Sequence, residues 1–204
     1  MLLSDRDILR EMKEGTVTIE PFNEEQLQPC GYDVRVSSVY YVMKEESPVF
    51  FPFTEEFVEK MYERREAEES TVRVRNHKAR GKFIVIPPHG FVLAATIERT
   101  RTVKNITASL RCRSSLARAG MSIARSAGWG DIGYDGVWTM DIINHLNVPY
   151  YLPVGLRVGQ LVFLKTETPT GKEYSGKYSG STEPAVPKLY KDRDLATLVE
   201  IEKN

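Results

Sequence analysis

Arg113, Ser114, Ser115 and Arg118 fall within one short run, Arg113-Ser114-Ser115-Leu116-Ala117-Arg118, and a carboxylate follows in Ala127-Gly128-Trp129-Gly130-Asp131-Ile132-Gly133-Tyr134-Asp135-Gly136. A guanidinium offers a planar fork of donors that fits phosphate oxygens, and serine hydroxyls extend that set. A fixed carboxylate on a tight turn can hold water and take its proton. The two segments together are the equipment of a phosphate-handling site. A second acid, Asp141, sits in the apolar run Thr139-Met140-Asp141-Ile142. Buried there it would need a partner, and otherwise it marks an exposed strand position or an ion pair.

The remaining reactive residues narrow the chemistry. His77, His89 and His145 do not cluster with acids or cysteines at metal-ligand spacing, and the H-x-E and P-C-x-x-C elements of zinc deaminases are absent. Cys30 and Cys112 are too few for a disulfide framework, which reads as an intracellular, cytoplasmic chain. The first seven residues carry charge and lack the apolar core of a secretory leader, and no apolar run approaches the ~20 residues of a membrane span. With 28 basic and 28 acidic residues there is no global field to favour nucleic acid or a membrane, so neither is expected as a partner. A small anionic ligand remains compatible with local arginines.

These groups must be positioned by mostly β structure. Ser4 and Asp7 resemble a capping box ahead of Ile8, Leu9 and Met12, which predicts a short helix over residues 1–15 ending at Gly15. Alternating pieces then predict strands at Val17–Ile19, Tyr32–Val36, Phe83–Ile86, Phe91–Ala95, Val137–Met140 and Leu161–Phe163, separated by Gly and Pro turns. Within a charged insertion at 54–80, Phe57, Val58, Met61 and Tyr62 share one helical face, predicting an amphipathic helix between Thr54 and Ser70. The Gly-, Ser- and Tyr-rich tail at 168–204 is mobile unless a ligand or neighbour orders it. One domain spanning residues 1–204 is expected, since a chain of this length sustains a single core.

Leu3-Ser4-Asp5-Arg6-Asp7-Ile8, Gln28-Pro29-Cys30-Gly31-Tyr32-Asp33-Val34-Arg35, the two site segments, Val158-Gly159-Gln160-Leu161-Val162-Phe163 and Gly176-Lys177-Tyr178 together resemble the dCTP deaminase/dUTPase family, in the family's order. The resemblance implies a distorted β-barrel of the dUTPase-like (β-clip) type with an inserted helical segment. It also implies a homotrimer with sites at subunit interfaces, a tail that closes over the nucleotide, and Mg²⁺ bound through the substrate triphosphate rather than by a dedicated metal site. Arg113, Ser114, Ser115, Leu116, Ala117 and Arg118 would form the phosphate-binding run, Gln160 a nucleotide contact, and Tyr174 and Lys177 the contribution of the tail. Tyr134 would pack under the deoxyribose, Thr139 would face the substrate, and Asp131 would orient the attacking water.

Some positions depart from the family pattern. Asp141 stands where the deaminase branch carries the glutamate that shuttles protons at cytosine C4, one methylene shorter, and misplacement of about 1 Å can cost on the order of 10²-fold in rate. Ala124, Ser126 and Ser181 replace a histidine, a threonine and a glutamine. Gly130 replaces an isoleucine, which would loosen the turn before Asp131. On this pattern, hydrolysis of dUTP to dUMP and pyrophosphate leads, with Asp131 as its base. Deamination of dCTP by Asp141 is the alternative, and a catalytically weak nucleotide-binding regulator is the third reading.

Overall fold

The N-terminal signals produce the helix they predict. The computed structural model describes residues 1–44 and 49–202, and in it helix α1 spans Asp5–Lys13. The Ser4 hydroxyl accepts from the Asp7 N–H while the Asp7 carboxylate accepts from the Ser4 N–H at 3.1 Å, closing the box with Asp in the third position. Glu11 is fully buried on the inner face of α1. Burial pushes its carboxyl up, but bonds from Lys165 Nζ and the Thr16 hydroxyl, both 2.6 Å, outweigh that and hold it below the usual range. The helix is thereby tied to the far end of the chain's last strand.

The strands are β1 (Val17–Glu20), β2 (Leu27–Gln28), β3 (Gly31–Met43), β4 (Tyr62–Glu66), β5 (Glu69–Val74), β6 (His77–Ile86), β7 (Phe91–Thr102), β8 (Ile106–Cys112), β9 (Met121–Ile123), β10 (Trp129–Gly130), β11 (Asp135–Asn144), β12 (Tyr150–Pro153) and β13 (Arg157–Lys165). Further helices are α2 (Glu55–Met61), α3 (Ser114–Arg118) and α4 (Leu195–Leu198). Ten strands form one sheet in the order β10-β8-β13-β3-β7-β11-β9, with β1 on β7 and both β2 and β4 on β3. β3 belongs to two halves of this sheet: Tyr32 to Arg35 pair with β13, and Val36 to Val42 with β7, with an irregularity between Val36 and Tyr40. Irregularities of this kind bend strands, and the sheet curls into a half-barrel. A second sheet has the order β12-β6-β5.

Alternation puts Val34 and Val36 of β3, Ala108 and Leu110 of β8, Met140 and Ile142 of β11 and Leu161 and Phe163 of β13 inside the curl. The buried Glu98 carboxylate joins β7 to β3 by accepting from the Arg35 backbone N–H at 2.8 Å and from Arg35 Nε at 2.7 Å. The mainly β architecture expected from the sequence, a sheet curled around one core, is present.

The inserted helix expected from the sequence is present, though shorter than its run of apolar positions. Thr54 caps α2 and Val58 and Met61 are buried, but the helix stops at Met61, and Tyr62 already opens β4 on the free edge of β3. The sheet edge supplies backbone partners that the helical pattern could not anticipate. β-branched Thr71, Val72 and Val74 then form β5 instead of extending a helix. The tail runs back over its own chain: Tyr174 N–H bonds Ile132 O at 2.7 Å, Gly180 N–H bonds Asp135 O at 2.7 Å, and Val137 N–H bonds Ser181 O at 2.9 Å.

Candidate active site

β11 organises the site through its alternation. Met140 and Ile142 point into the core, while Thr139 and Asp141 are half-buried on the other side and line a cavity of about 440 Å³. Asp131, Tyr134 and Trp138 complete this wall, and Tyr174, Tyr178, Ala185 and Pro187 of the tail stand opposite. Thr139, expected to face the substrate, lines this cavity with its hydroxyl accepting the Ala185 N–H at 2.9 Å. The Asp141 carboxylate makes no ion pair among the described residues, so it is a half-buried acid turned toward open space.

Asp131 is exposed at the mouth of this cavity and borders a second one of about 570 Å³, which adds Thr107, Thr166, Thr170, Lys172 and Ser175. Its turn is held by the Tyr134 N–H bonding Asp131 O at 3.0 Å and the Gly133 N–H bonding Thr102 O at 2.8 Å. Gly133 has φ +98°, and a Cβ there would come within 2.6 Å of the Tyr174 nitrogen, so the left-handed turn and the close tail both require glycine. The Tyr134 hydroxyl donates to Val137 O at 2.6 Å, which leaves its ring as the cavity wall, 5.3 Å from Trp138 and 6.1 Å from Tyr174. Burial, with Tyr174 and Asp135 adding to it, pushes this phenol up to about 12, so it stays neutral near pH 7. Ala124, whose N–H bonds Asp141 O at 3.2 Å, has φ +45°, a strained non-glycine position directly behind the site.

Gly130 acts differently from its expectation. It is buried, and a Cβ added to it would run into the Trp138 indole. The glycine therefore makes room for the tryptophan that walls the cavity, and the ring occupies the space a branched residue would fill. Gly130→Ile is expected to lower stability by about 1–3 kcal/mol through overpacking, measured by denaturant unfolding. Trp138→Val in the same chain should recover part of that loss, and an additive double mutant would refute the contact.

The clamp run is elsewhere. Arg113 precedes α3, and its Nε lies 3.3 Å from Oδ2 of Asp33, whose side chain is 3% exposed. Arg157 approaches the same oxygen at 3.4 Å, and Gln160 Nε2 donates to Oδ1 at 3.3 Å. Arg113 and Gln160, expected as ligand contacts, thus converge on a buried carboxylate of β3. Leu116 is a core side chain at 5% exposure, a correction to its place in the binding run. Ser114, Ser115, Ala117 and Arg118 are exposed, and none of the run lines the cavity of Asp131 and Asp141. Lys177 is turned aside from both cavities, with Nζ 2.5 Å from Asp192 Oδ1 and 3.1 Å from Lys188 O.

Asp131, Tyr134, Thr139, Asp141 and Tyr174 are therefore brought together in one chain, while the arginine run is not. Sequence reasoning did not assign Trp138, Tyr178 and Pro187 to the cavity or Asp33 to the arginines. Tyr178 and Asp33 each lie within a motif that carries the family resemblance, which was the available signal.

A family profile described as dCTP deaminase-like matches residues 2–166. A protein of Sulfurihydrogenibium named "dCTP deaminase, dUMP-forming" is 31% identical over 194 residues, covering 95% of this chain and 100% of the relative. A "dCTP deaminase" of Pyrococcus horikoshii is 37% identical over 182 residues, covering 89% of this chain and 94% of the relative. The crystal structure of 2'-deoxycytidine 5'-triphosphate deaminase from Agrobacterium tumefaciens superposes with a TM-score of 0.56 at 18% identity, covering 81% of this chain and 48% of that one, a likeness of fold.

Proposed function

This chain belongs to the dCTP deaminase-like family, and from that premise we propose that it deaminates dCTP, with removal of diphosphate to give dUMP as a second reaction at the same site. The ranking drawn from sequence alone, with dUTP hydrolysis first, is reversed here. Relatives that match nearly the whole chain are named for deamination. The observation that carries the reading is the position of Asp141: a half-buried acid on the open face of β11, facing a cavity walled by Tyr134 and Trp138.

In the proposed reaction Asp141 takes a proton from water as its oxygen adds to C4 of cytosine. It returns that proton to the amino nitrogen while the remaining hydroxyl proton passes to N3, so the C4–N bond breaks, C4 becomes a carbonyl, and ammonia leaves with uracil formed. The second reaction is supported by the dUMP-forming activity for which the Sulfurihydrogenibium relative is named and by Asp131, exposed between the two cavities. There the carboxylate would orient water toward the α-phosphorus, and pyrophosphate would leave.

The arginine run would reach the cavity from a second copy of the chain. Ser114, Ser115 and Arg118 are exposed and remain available to a neighbour's site, which supports the homotrimer with interfacial sites implied by the sequence. Tyr174 on the cavity and Lys177 on the same tail segment would complete it. Among the described residues no group of three or more His, Cys, Asp or Glu side chains could hold a metal, which suits Mg²⁺ delivered on the triphosphate and held by phosphate oxygens and waters. That ion would neutralise charge on the phosphate oxygens. Incubation with dCTP, and separately with dUTP, in the presence of Mg²⁺ tests the reading. Ammonia from dCTP is expected, and pyrophosphate from dUTP with no ammonia from dCTP would restore the phosphatase reading alone.

A further inference from the structure

The ribbon of β5 and β6 concentrates positive charge in a chain whose totals cancel. From Ser70 to Ile97 there are five cations, Arg73, Arg75, Lys78, Arg80 and Lys82, and no Asp or Glu. β12 pairs with β6 only over Phe83–Ile86, so from Lys82 outward the ribbon has no third strand among the described residues. The register sets Glu69 opposite Lys82, Thr71 opposite Arg80 and Arg73 opposite Lys78. Side chains alternate along a strand, so these pairs share one face, while Val72 with Ala79 and Val74 with His77 occupy the other. Four exposed cations therefore stand on one face with a single acid, Glu69, 3.6 Å from Arg80 at the base. Arg73, Arg75, Lys78 and Lys82 form no ion pair among the described residues.

A hairpin selected only for solubility would mix signs and use both faces. Here Lys78, Arg80 and Lys82 stand about 7 Å apart along β6, with Arg73 roughly 5 Å from Lys78 across the pair, a repulsion that an aligned row of anions relieves. We propose that this cationic face docks on the phosphate backbone of nucleic acid. A two-stranded ribbon is narrow enough for a duplex groove about 12 Å wide, and a phosphate ladder matches a linear row of cations. An anionic membrane fits less well, because Val74, 61% exposed on the opposite face, is a single apolar side chain near a tip formed by Arg75 and Asn76. The neutral total that argued against nucleic acid describes the whole chain, whereas this arm is a local patch.

The test is fluorescence anisotropy of a labelled short duplex with the full chain, between roughly 50 and 200 mM salt. Four phosphate contacts per arm predict a log–log salt slope of about −3.6, and the variant Arg73→Gln/Lys78→Gln/Arg80→Gln/Lys82→Gln should bind about tenfold or more weakly with a flatter slope. All four side chains are exposed, and an unchanged thermal melting curve verifies that the variant is folded. No wild-type binding at the lower salt, equal binding by the variant, or capture by anionic lipid vesicles without duplex binding would each overturn the proposal.

Discussion

Asp141→Asn is expected to reduce ammonia release from dCTP by on the order of 10²- to 10⁴-fold while leaving nucleotide binding largely intact. Asparagine keeps the shape of the side chain and removes its capacity to take and return a proton. The fold should tolerate the change, because Asp141 is half-buried and has no ion pair among the described residues, so no buried partner is stranded. Asp141→Glu keeps the acid and extends it toward the cavity, and it should retain turnover that the asparagine variant lacks. Measuring ammonia from dCTP for both variants checks the prediction. Undiminished release by Asp141→Asn would remove Asp141 from the chemistry.

Asp131→Asn should produce the complementary separation. Pyrophosphate release falls by on the order of 10²- to 10⁴-fold, and ammonia release from dCTP continues. The reason is position: Asp141 lines one cavity, whereas Asp131 stands at the boundary of two, within reach of a ligand that extends from the base cavity toward Thr107 and Lys172. Its turn is held by backbone bonds at Tyr134 and Gly133 that asparagine does not disturb. Quantifying both products from each substrate decides it. Equal loss of both products would make Asp131 a shared structural element and not the base of the second reaction.

Much of this arrangement was legible in residue order. The Ser4 and Asp7 box, the alternation of β11 and the Gly-rich turn at Asp131 are local signals, and each gives the element it predicts. Asp131, Tyr134, Thr139, Asp141 and Tyr174 meet because the turn, β11 and the tail meet. What was not legible depends on contacts far apart in the chain. Arg113 and Gln160 look like free ligand groups in sequence, and only the pairing of β3 with β13 reveals Asp33 between them. Leu116 reads as part of a polar run until α3 is seen to turn it inward. Gly130 looked like a loss of order, and its meaning lies in Trp138, eight residues on. The inserted helix ends at Met61, sooner than its apolar face suggested, because an open sheet edge takes up Tyr62 and the residues after it.

The most direct measurement is mass spectrometry of the products formed from dCTP and Mg²⁺ in ¹⁸O-labelled water. Attack at C4 puts the label on the uracil base, and attack at the α-phosphorus puts it on the phosphate of the monophosphate. Label is expected on the base, joined by label on the phosphate where dUMP forms, with the base label lost in Asp141→Asn. Unlabelled, intact cytosine in every product would contradict it.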